Sequence, residues 1–195
     1  MKTFRFLFAG LTVLAFAVSP TLALAQATTT GTTAPGGKPG TASATEKAKP
    51  IAPGDKKFVK DAADSLYYEL ALAEKTKIKG STDTVKKLGE KLNDDLKKVW
   101  EELATFAQAN NEKMPTELTG GDKSAAERLG KLDGDKFDKQ LLSVLDREAK
   151  KLSRTFESKS IQSPDLKKIA ENYGPTLKSH VTEVEKAEKD AAKAK

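Results

Sequence analysis

The sequence predicts an all-α fold: an antiparallel four-helix bundle made of two helical hairpins with a longer crossover between them. Three observations predict it. Apolar residues recur every three or four positions along four long stretches, the spacing that lines one face of a helix. The alternation of a half-buried strand is missing. The links within the first and last pairs of stretches are short, which makes each pair antiparallel neighbours, whereas the middle connection is long.

Helix one is predicted from Asp55 to Lys79, with Val59, Ala62, Leu66, Glu69, Leu70 and Ala73 facing inward and Gly80 as a left-handed C-terminal cap. Helix two follows from Ser81–Asp83 to Ala109 and buries Val85, Leu88, Leu92, Leu96, Val99, Leu103 and Phe106. Asn110-Asn111 ends it. In the crossover, Met114-Pro115 and Gly120-Gly121 precede Ser124 to Glu127, whose capping-box spacing predicts a short helical turn through Leu129 and Leu132. Helix three opens at Asp135 and turns Phe137, Leu141, Val144, Leu145, Glu148, Leu152 and Phe156 inward. The last helix begins at Ser163-Pro164-Asp165, an N-cap, an N1 proline and a first-turn acid. Leu166, Ile169, Tyr173, Leu177, His180, Val181 and Val184 form its apolar face to about Lys189, and the lysine-rich end is expected to fray. Gly174-Pro175 interrupts that face. A mid-helix proline costs about 3 kcal/mol, but the apolar phase resumes at Leu177 without slipping, so a kink is expected rather than an end.

Ahead of the bundle the chain changes character. Lys2 and Arg5, an apolar run from Phe6 to Val18, and Ala23-Leu24-Ala25 together read as a signal peptide cleaved after Ala25, with Ala27 as a second choice. The run is shorter than the ~20 residues that span a bilayer, so no stable membrane span is expected once the signal is removed. Residues 26–54, rich in Thr, Ala, Gly and Pro, read as a disordered linker, which leaves residues 55–195 as one bundle domain. An exported chain without cysteine must hold together by packing, and thiol catalysis and thiolate metal sites are excluded.

The formal charge of +6 overstates how basic the bundle is. Residues 1–54 hold five basic residues and one acid, so the remainder has 34−5 = 29 basic against 28−1 = 27 acidic residues, a balance of +2 with the signs interleaved. A solvated helical surface accounts for this better than a nucleic-acid face.

The two hairpins also resemble each other. Val85-Lys86-Lys87-Leu88-Gly89-Glu90 parallels Leu166-Lys167-Lys168-Ile169-Ala170-Glu171, and Phe58, Leu66, Glu69 and Ala73 parallel Phe137, Leu145, Glu148 and Leu152. Offsets of 81 and 79 residues differ by a two-residue adjustment in the turn. A duplicated hairpin with pseudo-twofold symmetry makes Glu69 and Glu148 equivalent, both buried near mid-helix.

A buried carboxylate needs a partner, a proton or a metal. A two-metal carboxylate centre would take a Glu from each of two helices and a Glu-x-x-His from each of the others, but Leu177 stands three residues before His180, and Val99 takes the equivalent place in helix two. Two readings remain. In one, Glu69, Glu148 and His180, with Asp95 nearby, bind a single divalent metal weakly. In the other, they form a polar layer in which His180 hydrogen-bonds a glutamate, and no cofactor is needed. A single histidine and no cysteine leave no nucleophilic triad, and no phosphate loop is present. Tyr67, Tyr68 and Trp100 read as core edge.

Phe58-Val59, Glu69, Asp94-Asp95, Met114-Pro115, Phe137-Asp138, Phe156-Glu157 and above all Pro175-Thr176-Leu177-Lys178-Ser179-His180 resemble domain-of-unknown-function family 4142. This is an exported bacterial family labelled periplasmic or outer-membrane, and the resemblance spans Lys56 to Lys189. It implies a ferritin-like fold and export. Members show an Asp-His step in helices two and three, where this chain has Asp95-Leu96 and Glu148-Ala149, so two histidines available to a ligand site are replaced by apolar groups. The expected function is a non-enzymatic, exported bundle with a binding or structural role in the cell envelope, periplasmic or extracellular, with an envelope partner and no nucleic acid. Weak binding of a divalent metal is the alternative, and adhesion to anionic envelope polymers through lysines a second one.

Overall fold

The computed structural model describes residues 51–193, and the signal peptide, its cleavage at Ala25 and the linker up to Pro50 lie outside the described residues. Five helices and no strands fill the described residues: α1 (Pro53–Lys79), α2 (Asp83–Ala109), α3 (Gly120–Gly130), α4 (Gly134–Phe156) and α5 (Pro164–Lys193). Four of them form the expected bundle. α1 packs on α2 and α4 on α5, and the hairpins join through α1 against α4 and α2 against α5.

Two aspartates set the helix directions. Asp55, at the start of α1, accepts the N–H groups of Gln162 and Ser163 at 2.7 and 3.0 Å, where α5 begins. Asp138, at the start of α4, accepts the Ser81 N–H at 3.1 Å and its hydroxyl at 2.5 Å, just before α2. α1 and α5 therefore begin at one end of the bundle, and α2 and α4 at the other. Every neighbouring pair is antiparallel. Each hairpin's first helix satisfies the exposed N–H groups at the start of the other hairpin's second helix.

The core is a continuous apolar seam whose long leucines, such as Leu66, Leu92, Leu96, Leu103, Leu141 and Leu145, are fully enclosed. Each contributes about 1.5–3 kcal/mol by burial. The crossover climbs from the α2 end to the α4 start along the outside of α1, where α3 touches α1 and α4. Tyr67 donates to the Thr116 carbonyl at 2.7 Å, and the Lys79 ammonium bonds the Gly130 and Leu132 carbonyls at 2.9 and 2.6 Å and pairs with Asp133. With α2, α4 and the crossover all against it, α1 buries twelve residues on a face far wider than the predicted stripe.

Several boundaries differ from expectation for local reasons. α1 begins at Pro53 and Ile51 packs on the core, so the last residues of the expected linker belong to the bundle. Gly80 is not a left-handed cap: its φ is −49°, and glycine is needed because a Cβ would stand 2.8 Å from the Thr76 carbonyl oxygen and 3.0 Å from Val85. α3 starts four residues before the expected capping box, and Ser124 bonds the Gly120 carbonyl from inside the helix instead of capping it. Leu70, Val144, Tyr173 and Val181, expected inside, are only half-buried. α5 is helical to Lys193 and passes through Pro175. Proline normally drives the preceding residue out of helical geometry by clashing with its Cβ, and Gly174 has none.

Candidate functional site

The polar groups of the interior fall on the inner faces of all four bundle helices. α1 contributes Ser65, Tyr68 and Glu69, α4 contributes Glu148 and α5 His180, while α2 brings Asp95, 22% exposed, to the edge of the layer. Glu69 is fully enclosed, and Glu148 is 5% exposed. The structure thus brings together the two glutamates that the internal repeat makes equivalent. Burial, reinforced by the charge of Glu148, raises the Glu69 carboxyl to about 8. Glu148 has cationic company at its outer edge: Arg147 Nε lies 3.0 Å from its Oε1 and Lys151 Nζ 3.6 Å from its Oε2. Glu69 has none. Near neutral pH Glu69 therefore keeps its proton.

Tyr68 completes this half of the layer. It is 1% exposed, its hydroxyl has no hydrogen-bond partner, and burial followed by the nearby Glu148 charge pushes its pKa up. Both Glu69 oxygens and Ser65 Oγ likewise have no hydrogen-bond partner, and Glu148 Oε2 has only its ion pair with Lys151.

His180 lies in a second pair. Its ring is fully enclosed, and Nε2 is 3.2 Å from Asp95 Oδ2. Burial lowers the His180 pKa more strongly than Asp95 raises it, with Lys91 also opposing the imidazolium. Burial works against the Asp95 charge, but hydrogen bonds from His180, Lys98 and Lys91 outweigh it and hold that carboxyl below its ordinary range. The neutral ring therefore donates its Nε2 hydrogen to Asp95, which leaves Nδ1 as a buried lone pair without a partner. This arrangement predicts that the imidazole C–H resonances of the single histidine titrate in NMR with a midpoint below the ordinary 6.5. A midpoint above 6.5 would mean that the Asp95 charge outweighs burial.

Of the four sequence-derived candidates, Glu69 meets Glu148 and His180 meets Asp95, two pairs rather than one set. The charged neighbours of His180 are Asp95, Lys91 and Glu183. Its hydrogen-bonding acid is the aspartate of the facing helix, not a glutamate. Among the described residues no three His, Asp or Glu side chains converge on one point as a metal cage would require.

Sequence reasoning missed Ser65 and Tyr68 as members of the layer, and Asn93, buried with its Nδ2 3.3 Å from Glu74. Tyr68 and Ser65 lie on the flank of α1 that the predicted stripe left outside. The signal that could have found them is the crossover itself, which must be covered by one helix and so gives that helix a second inner face.

Comparison with known proteins supports the architecture. The chain is similar in structure to the crystal structure of a DUF305 fragment from Deinococcus radiodurans, with a TM-score of 0.65 at 13% identity over 73% of this chain and 99% of that one. At that identity the likeness speaks for the fold alone. No curated protein matches the sequence. The family described as Domain of unknown function (DUF4142) matches residues 40–187, which covers the whole bundle except the end of α5. The resemblance read from Phe58-Val59, Glu69 and above all Pro175 to His180 is thereby borne out, and the chain belongs to the DUF4142 family.

Proposed function

We infer that the protein is an exported, non-enzymatic helical bundle with a binding or structural role in the bacterial cell envelope. The observation that carries the non-enzymatic part is enclosure. Glu69 and His180, the groups best suited to proton transfer or ligation, are wholly cut off from solvent, so no substrate reaches them without opening the bundle. Export rests on the basic start, the apolar run and Ala23-Leu24-Ala25. Fractionation of a Gram-negative host expressing the full chain tests it: the expected product is a periplasmic or secreted protein beginning at Gln26. Full-length protein confined to the cytosol would overturn the reading.

Weak binding of one divalent metal through Glu69, Glu148 and His180 is the second reading, favoured by the two unpartnered oxygens of Glu69 and the bare Nδ1 of His180, and it requires the two pairs to draw together. Stoichiometric transition metal in the purified protein, lost in His180→Ala, would place it first.

A further inference from the structure

We propose that the cleft between α3 and α4 docks the protein on an anionic lipid membrane, with Arg128, Lys136 and Lys139 on the headgroup phosphates and Leu132 and Val144 facing the acyl chains. The cleft encloses about 530 Å³, and its lining holds three cations, no carboxylate and a floor that includes Leu129, Leu132 and Val144. None of the three cations has a carboxylate partner among the described residues. Two acids nearby are engaged elsewhere: Asp133 pairs with Lys79, and Asp138 binds Ser81. Glu127 and Asp135 are exposed in the same stretch but do not line the cleft.

The contrast with the rest of the surface gives this weight. The bundle carries both signs interleaved, and the other two large clefts follow suit. The one between α2 and α5 sets Lys98 and Lys168 beside Glu101, Glu102 and Asp165, and the one under the crossover sets Lys97 and Lys123 beside Glu74 and Glu117. Only between α3 and α4, among these three, is one sign segregated over an apolar floor. Val144 has the phase of a core position yet is half-buried, because the short α3 only partly covers α4.

This composition selects a membrane over a soluble polyanion. A polyanion would engage the three cations and gain nothing from Leu132 and Val144. A bilayer interface uses both, because basic side chains reach phosphates while their stems and the apolar residues between them enter the headgroup boundary.

The proposal rests on the envelope reading only for where the protein meets its membrane, and its test needs no cell. The processed chain from Gln26, which contains the entire bundle, is sedimented with vesicles of equal parts phosphatidylglycerol and phosphatidylcholine at about 0.1 M salt. Binding to these and not to pure phosphatidylcholine is expected. The variant R128A/K136A/K139A should lose on the order of 100-fold in affinity. K87A/K113A/K167A, which removes the same charge from exposed positions outside the cleft, should lose only severalfold. Leu132→Ser should weaken binding while leaving the thermal transition in place, since that side chain is only half-buried. No binding by the parent chain, equal losses in the two triple variants, or dextran sulfate binding as tightly as the vesicles with Leu132→Ser neutral would each overturn the proposal, the last in favour of a polymer. A failed export experiment would leave this result untouched.

Discussion

Glu69→Gln is expected to stabilise the protein strongly at pH 9 and to leave it nearly unchanged at pH 5. The folded-state carboxyl titrates at about 8, against an ordinary value of 4.5. Between those values the folded chain holds a proton that the unfolded chain has released, so stability falls as pH rises through that window. The displacement corresponds to roughly 3–5 kcal/mol once the window has been crossed. Glutamine reproduces the shape and neutrality of the protonated acid but cannot ionise, so the penalty disappears. At about 2–4 °C per kcal/mol for a chain of this size, the melting temperature at pH 9 should rise by about 10 °C, and the pH dependence above 5 should flatten. Thermal melts of both proteins across pH 5–9 measure this. A variant equally destabilised at every pH would show instead that Glu69 is ionised and stabilised by a partner.

Gly89→Ala should have a comparable effect in the opposite direction. In an ordinary helix this change gains up to about 1 kcal/mol from backbone entropy. Here a Cβ would stand 2.4 Å from the Lys77 backbone nitrogen, 2.8 Å from Thr76 Cβ and 2.9 Å from the Ala73 carbonyl oxygen. These are mostly main-chain atoms of α1 that no rotamer can move aside, so α1 and α2 must separate along a seam where every buried side chain is in contact. A loss of about 3 kcal/mol in urea unfolding is expected. The internal repeat supplies the comparison. Ala170 holds the equivalent place in α5 and faces a hairpin partner with Leu152 where α1 has Ala73, so the first hairpin is built for close approach and the second is not. A Gly89→Ala variant within 0.5 kcal/mol of the parent would mean that the spacing of α1 and α2 is adjustable.

Much of this architecture was legible in residue order because the inner faces of α2, α4 and α5 follow one period. All seven predicted apolar positions of α2 are buried, and in α4 only Val144 departs, under the incomplete cover of α3. α1 was harder to read. Packed on three sides, it buries Ala63, Ser65, Tyr68 and Leu72, which fall off any single stripe. The site was legible as a pair of repeats but not as a set of contacts. Equivalence in the repeat predicted that Glu69 and Glu148 would both be inside, and they are. Asp95 was expected near His180, but its choice as the histidine's partner depends on α2 and α5 being ring neighbours, which periodicity within a helix does not encode. Asp55 and Asp138 lie 107 and 57 residues from the backbone groups they hold, a relation invisible to local pattern.

Those two aspartates have a consequence for how the domain comes apart. Each hairpin holds the key to the other's second helix, so neither half is complete without its sibling. A polypeptide severed in the crossover would yield fragments with a frayed helix start apiece, and mixing them should restore order in both at once.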